Sequence, residues 1–156
     1  MKRYLRVSAR VARLAIVSLL VSSHALATLG EPVGSVAQDG KTLSAARRTT
    51  TVHTGYTVEQ VVADAYTVRE YVSPAGVVFA IAWNGLAHPD LSPLLGSYAG
   101  EYKQAMRQTP RVQGRRHSSV KTNRVIVEKW GHMRNLQGRA YVPALIPPGV
   151  GIDEIK

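Results

Sequence analysis

The stretch REYVSPAGVVFAIAWNG, residues 69–85, decides the fold. Its second half, residues 77–83, is apolar throughout and places a bulky side chain at every second position. This two-residue period is that of a β-strand, in which successive side chains project to opposite faces. It predicts one shared face for Val77, Phe79, Ile81 and Trp83. Because both faces are apolar, we expect a central strand that is covered on each side.

The four residues before this run have the composition of a turn. Ser73 at the first position, Pro74 at the second and Gly76 at the fourth are the preferences of a type I β-turn. A serine nucleophile would need an activating base and, most commonly, a Gly-x-Ser-x-Gly motif, which the sequence lacks. We therefore interpret Ser73 as a turn residue.

Further β-rich segments flank this stretch on both sides. Strands are predicted at residues 56–62 and 66–72 upstream, and at residues 124–130 and 139–142 downstream, with a loop holding Gly131 and Gly138 between the last two. The final 14 residues contain three prolines and two glycines and are expected to lie extended over the surface.

A helix is predicted after this central strand. Asp90 or Ser92 can cap its N-terminus, and Pro93 is tolerated in its first turn. Apolar side chains recur there at steps of three and four residues, which forms a stripe of Leu91, Leu94, Leu95, Tyr98, Tyr102, Ala105 and Met106. The predicted fold is therefore α+β: an antiparallel β-meander of about five strands packed by one amphipathic helix.

The first 27 residues have the composition of a signal peptide. Five basic residues precede a short apolar core at residues 14–21, and Ala25 and Ala27 provide the small side chains that signal peptidase needs. The apolar core is shorter than the roughly 20 residues that span a bilayer. We expect cleavage before Thr28, a single domain of residues 28–156 with no transmembrane anchor, and a location in the periplasm or outside the cell.

The net charge of +10 is concentrated in the leader and in one later segment. Seven basic residues and no acidic residue occur between 103 and 124. Within that span, Pro110 and Gly114 predict a basic loop near residues 108–119. The candidate anion-binding residues are Arg111, Arg115, Arg116 and Lys121. The absence of cysteine excludes thiol catalysis, disulfide exchange and cysteine-ligated zinc.

Four residues around the end of the central strand are the candidate ligand-binding residues: Trp83, Asn84, His88 and Asp90. A flat aromatic ring supplies contact area at low entropic cost, although the spacing of most aromatic residues here also fits core packing. His88 and Asp90 could ligate a metal, but no third acidic residue or His-Glu-x-x-His motif accompanies them, so no metal or cofactor is predicted.

The remaining carboxylates suggest no acid–base pair. Glu59, Asp64 and Glu70 are expected at exposed strand positions. No catalytic residue is identified.

Four blocks carry a family resemblance: LGEPVGSV (29–36), TVREYVSPAGVVFAIAW (67–83), HPDLSPLLGSYAGEY (88–102) and GHMRNLQGRAYVPALIPPGV (131–150). Together they resemble the pattern of an exported bacterial family catalogued as domain of unknown function 2844. The blocks keep the family order and extend over nearly the whole chain after the leader. The resemblance implies an exported protein but brings no assigned activity, cofactor or catalytic residue.

Three functional hypotheses follow. The leading one is a non-enzymatic envelope or secreted protein that binds a partner protein or a glycan. The second is a hydrolase of an envelope polymer, favoured if His88, Asp90 and a further acidic residue converge in one cleft. The third is an anion-binding module that uses residues 103–124, with lipopolysaccharide, acidic polysaccharide or nucleic acid as the ligand, nucleic acid being the least expected of these.

Overall fold

The computed structural model describes residues 28–32, 47–110 and 116–156. In this part of the chain, seven strands form one antiparallel sheet in the order β1-β2-β3-β4-β7-β6-β5. The strands are β1 (Arg47–His53), β2 (Tyr56–Val62), β3 (Tyr66–Val72), β4 (Val78–Gly85), β5 (His117–Lys121), β6 (Ile126–His132) and β7 (Asn135–Tyr141). The predicted α+β class is confirmed, with seven strands instead of about five.

The two strands that the prediction missed are the sheet edges, β1 and β5. Residues 49–53 of β1 are all exposed, and Val120 is the one buried residue of β5. Such strands lack the apolar alternation by which a strand is recognised in a sequence. Residues 117–119, which the sequence placed in the basic loop, therefore belong to a strand, while residues 111–115 of that loop lie outside the described residues.

A helical segment, residues 91–108, covers one side of the sheet, here called the helix face. It consists of α1 (Leu91–Leu95), a 3₁₀ turn (Gly96–Tyr98) and α2 (Ala99–Gln108). Asp90 caps α1 as predicted, since its Oδ1 accepts the Ser92 backbone N–H at 2.9 Å. The predicted stripe packs on the sheet with the exception of Met106, which is 47% exposed.

Residues 28–32 complete the core on the helix face. Leu29 is fully buried, and its backbone N–H donates to the carbonyl oxygen of Leu94 at 3.1 Å. The next residue, Gly30, donates to the carbonyl oxygen of Val78 at 2.7 Å. The residues that directly follow the predicted cleavage site are thus tied to both the helix and the central strand.

A β-bulge in β4 divides the apolar run between the two faces. The register between β3 and β4 shifts between Tyr71 and Val72, which leaves Phe79 as an extra residue. Phe79 belongs to the core on the far side of the sheet, whereas Ile81 and Trp83 belong to the helix-face core. The predicted shared face is therefore wrong for Phe79, and the expectation of a central strand covered on both sides is confirmed.

The turn before β4 is confirmed. The Gly76 N–H donates to the Ser73 carbonyl oxygen at 2.9 Å, and Gly76 has a φ of 76°, which glycine adopts without strain. The Ser73 hydroxyl oxygen accepts the Val77 N–H at 3.3 Å. Ser73 therefore has a structural role in closing the turn.

The expected loop around Gly131 and Gly138 is wrong, because both glycines lie in strands that form a tight hairpin. Gly138 pairs directly with Trp83 of the neighbouring strand. A Cβ atom at Gly138 would collide with the Trp83 indole. Glycine is required at this position because the indole lies against β7.

Residues 143–156, here called the tail, cover the other side of the sheet, here called the tail face. The tail lies over the surface of the sheet as expected, but it forms two 3₁₀ turns, Pro143–Leu145 and Ile152–Glu154, so the expectation of an extended conformation is wrong for these residues. Ile155 is fully buried in the core of this face. Its buried cluster contains Tyr56, Val58, Tyr71, Phe79, Ala80, Ala82 and Tyr141. The tail is therefore a second covering layer.

Candidate functional site

One row of side chains crosses the tail face perpendicular to the strands. Gln60, Arg69, Ala82, Arg139 and Glu128 are direct neighbours across β2, β3, β4, β7 and β6. Residues paired in this way project to the same face of an antiparallel sheet. The small central Ala82 shares a buried cluster with Ile155 of the tail, and one arginine stands on each side of it.

Arg139 fixes the tail from the β7 side. Its Nη1 donates to the Ile152 carbonyl oxygen at 2.8 Å, and its Nε donates to Glu128 Oε2 at 2.7 Å in an ion pair. The guanidinium carbon lies 5.7 Å from the ring centroid of Trp130 and 5.8 Å from that of Tyr141, within the range of a cation–π interaction. These contacts hold the Arg139 side chain in one orientation.

Arg69 fixes the tail from the β3 side. Its Nη1 donates to the Lys156 backbone oxygen at 2.7 Å, while its Nε donates to Gln60 Oε1 at 3.3 Å. The Tyr71 hydroxyl donates to the same Lys156 oxygen at 2.9 Å and accepts the Lys156 backbone N–H at 2.9 Å. Burial raises the pKa of Tyr71 above its ordinary value, so the hydroxyl remains a donor at neutral pH.

A third contact, here called the Tyr56–Glu154 tie, joins β2 to the tail. The Tyr56 hydroxyl donates to Glu154 Oε2 at 2.9 Å, and the Gly151 N–H donates to Glu154 Oε1 at 2.8 Å. Burial, assisted by the bond to Glu154, raises the pKa of Tyr56 to about 12. The hydrogen bonds from Gly151 and Tyr56 lower the pKa of Glu154. The tie therefore pairs a neutral phenol with a charged carboxylate at neutral pH.

Two clefts open beside the tail. The first, here called the Trp130 cleft, has a volume of about 460 Å³ and lies on the β5–β7 side. Its polar and aromatic lining consists of His117, Glu128, Trp130, Arg139, Asp153 and Lys156. The second, here called the His53 cleft, has a volume of about 310 Å³ and lies on the β1–β3 side. It is lined by Thr51, His53, Tyr56, Gln60, Arg69 and Lys156, among others.

The candidate residue Trp83 lies under the helix rather than at the surface. It is 1% exposed, so its ring has no face open to a ligand. Its Nε1–H donates to His88 Nδ1 at 2.9 Å. Burial, and secondarily the charge of Lys129, lowers the pKa of His88. The neutral imidazole of His88 thus serves as the acceptor for the buried indole.

The other two ligand-binding candidates, Asn84 and Asp90, do not join Trp83 and His88 in a common cleft. Asp90 is the cap of α1. Asn84 pairs with Gln137 on the tail face, whereas Trp83 projects to the helix face. The alternation of side chains along β4 therefore separates two neighbours that the sequence grouped together.

The four candidate anion-binding residues are only partly described. Arg111 and Arg115 lie outside the described residues, whereas Arg116 and Lys121 are exposed, Lys121 at the end of edge strand β5. Arg124, nearby in the sequence, is paired with Glu101 at 2.9 Å. Within the described part of the basic segment, Arg116 and Lys121 are therefore exposed at the β5 edge of the sheet, whereas Lys103 and Arg107 lie on α2.

The carboxylate Glu70 was expected to be exposed and is instead fully buried on the helix face. Among the described residues, no group of three or more histidine, aspartate or glutamate side chains is placed to hold a metal ion. Arg69, Arg139 and Trp130 were not among the site residues predicted from the sequence. The available signal was an arginine inside each of two predicted strands, Arg69 between Val68 and Glu70 and Arg139 between Gly138 and Ala140.

In the part of the chain that the structure covers, no helix has both the length and the apolar character needed to cross a membrane.

Comparison with known proteins agrees with the four resembling sequence blocks. Residues 25–155 match a family described as protein of unknown function (DUF2844). No curated protein and no solved structure matches the chain. Because the family match extends over most of the sequence, the chain belongs to the DUF2844 family.

Proposed function

We propose that the protein is an exported, non-enzymatic binding protein that holds its partner against the tail face. The observation that carries this proposal is the pair of clefts, of about 460 and 310 Å³, that flank the tail. Both volumes are of the size usual for ligand sites, roughly 300–1,000 Å³. Export is inferred from the leader composition of residues 1–27.

The clefts have walls that are ordered before a partner binds. Arg139 is fixed by Glu128 and by the tail backbone, and Arg69 is fixed by Gln60 and by Lys156. A partner that contacts these side chains does not have to order them first. Preorganisation of this kind increases affinity because it lowers the entropic cost of binding.

The contacts made by the polar side chains that hydrolysis would need favour binding over hydrolysis. His88 and Asp90, which the hydrolase hypothesis required in one cleft, are committed to Trp83 and to the cap of α1. In the Trp130 cleft, Glu128 is committed to an ion pair with Arg139. A general acid or base must instead be free to exchange a proton with the substrate.

Site-specific photo-crosslinking in producing cells tests the proposal. A photoreactive phenylalanine would replace His117 in the Trp130 cleft, His53 in the His53 cleft, or Gln104 on the helix as a matched exposed control. We expect adducts at position 117 or 53 and background labelling at 104. Equal labelling at all three positions, or labelling at 104 alone, would contradict the proposal.

A further inference from the structure

We infer that the Trp130 cleft binds a neutral glycan, an inference that rests on the proposed function. A sugar ring is apolar on its faces and carries hydroxyl groups around its edge. An aromatic ring offers a surface for the apolar face, and polar side chains offer donors and acceptors for the hydroxyls. The Trp130 cleft provides both in one volume of about 460 Å³.

The aromatic surface is held in place by its neighbours. The Trp130 Nε1–H donates to Gln137 Oε1 at 3.1 Å, and Gln137 Nε2 donates to Asn135 Oδ1 at 2.9 Å. The Arg139 guanidinium lies 5.7 Å from the ring centroid. A ring that is already oriented loses little conformational freedom when a ligand stacks on it.

The charges around the cleft are balanced, and this favours a neutral ligand. The cations of Arg139 and Lys156 stand against the carboxylates of Glu128 and Asp153. An acidic ligand would meet two like charges together with its two opposite ones. Hydroxyl groups both donate and accept hydrogen bonds, so a neutral glycan can bond to Lys156, to Asp153 and to the atoms that the Glu128–Arg139 ion pair leaves open. This differs from the acidic glycan expected from the basic segment.

The His53 cleft supplies a matched control on the same face. Its aromatic residues are tyrosines and a histidine, and the hydroxyls of both tyrosines, Tyr56 and Tyr71, are bonded to the tail. His53 itself is exposed and stacks on Tyr56 at a centroid distance of 4.8 Å. Substitution of His53 therefore alters an aromatic cleft residue without touching the Trp130 cleft.

Tryptophan fluorescence directly reports the binding of a sugar in the Trp130 cleft. The chain has two tryptophans, and Trp83 is 1% exposed, so a ligand-dependent change in emission reports Trp130. The full exported protein would be titrated with maltotriose, cellotriose and chitotriose, and with trigalacturonic acid as the charged counterpart. We expect saturable binding of at least one neutral trisaccharide.

Two variants locate that binding, with affinities measured by calorimetry. Trp130→Ala should weaken affinity by at least about tenfold, whereas His53→Ala should change it by less than about twofold. Trp130→Phe keeps an aromatic ring and provides the comparison if the alanine variant fails to fold. It should retain part of the affinity.

Failure of this inference can be separated from failure of the proposed function. If no neutral trisaccharide binds while photo-adducts still form at position 117, the ligand class is wrong and the binding function stands. Tighter binding of trigalacturonic acid, or binding unaffected by both Trp130 variants, would also overturn the inference. Absence of both sugar binding and cleft adducts would overturn the inference and the function together.

Discussion

Arg69 on β3 and Arg139 on β7 flank Ala82 in the same cross-strand row, and each donates a hydrogen bond to a backbone oxygen of the tail, at 2.7 and 2.8 Å. Because the acceptors are backbone atoms, this attachment depends on the path of the tail more than on its side chains. The two clefts exist because the tail occupies the middle of the face and leaves both flanks open.

Removal of the Arg139 contacts should loosen the tail. Arg139→Met is expected to lower the free energy of unfolding by about 2–3 kcal/mol, because a part-buried, charge-assisted network is lost. Arg124→Met is the control, since Arg124 also pairs with a glutamate at 2.9 Å but its side chain is 57% exposed. It should cost less than about 1 kcal/mol. Denaturant unfolding measures both, and equal costs would contradict the assigned role of Arg139.

The tail also contributes apolar packing to the core of the tail face. Ile152 and Ile155 lie three residues apart in the tail, and of these two only Ile155 is buried. Ile155 is 0% exposed and Ile152 is 42% exposed. Ile155→Ala should destabilise the protein by about 2–5 kcal/mol, whereas Ile152→Ala should change stability by no more than about 0.5 kcal/mol. Thermal and denaturant melts of the two variants provide the test. If Ile155→Ala melted like the unsubstituted protein, the tail would not be part of the core.

The central elements of this fold could be predicted from the sequence because their periods are local. The alternation in β4, the turn before it and the cap of α1 depend on residues a few positions apart. The bulge at Phe79 could not be predicted in this way, because a strand that is apolar on both faces gives no sign of which face a residue occupies. β1 and β5 were missed because edge strands carry few buried side chains.

The candidate site was less predictable than the fold. Arg69 and Arg139 become neighbours of Ala82 only through the register of three strands, two of which are far apart in the sequence. In the sequence, Trp130 cannot be distinguished from a tryptophan of the core, because its exposure depends on the face of the sheet that it occupies. The opposite holds for Trp83, which the sequence placed among the candidate ligand-binding residues and which is buried on the helix face.

The Tyr56–Glu154 tie predicts a defined alkaline transition. The pKa of Tyr56 is raised from 10.0 to about 12 in the folded protein. The contribution of the Tyr56 hydroxyl to this tie is therefore complete below pH 10 and is lost as the pH rises towards 12. Ultraviolet absorbance of tyrosinate during a pH titration would follow this ionisation, with Tyr56→Phe used to identify its share. In Glu154→Gln, the Tyr56 pKa should fall, and an unchanged value would contradict the tie.

The same tie weakens in acid. The pKa of Glu154 is lowered on folding, so its contribution is present above the ordinary value of 4.5 and is lost as the pH falls through the lower folded value. The protection factors of the tail amides, which correct hydrogen exchange for its intrinsic pH dependence, should fall over that range. In Glu154→Gln the protection factors of the tail amides should already be low at neutral pH and should not fall further over that range.

Export predicts a defined start of the processed chain. N-terminal sequencing of the exported protein should begin at Thr28. Leu29 is fully buried in the folded protein, so cleavage should precede docking of residues 28–32. An exported species that retains Met1, or one that begins after Leu29, would contradict this expectation.

The central claim is that the partner binds to the tail face. Backbone amide shifts of isotope-labelled protein, recorded while a clarified envelope extract of the producing cells is added, test this claim most directly. We predict shifts or line broadening at His117, Trp130 and Asp153 of the Trp130 cleft, with the α2 amides unchanged. Shifts confined to α2, or no shifts at any extract concentration, would contradict the account.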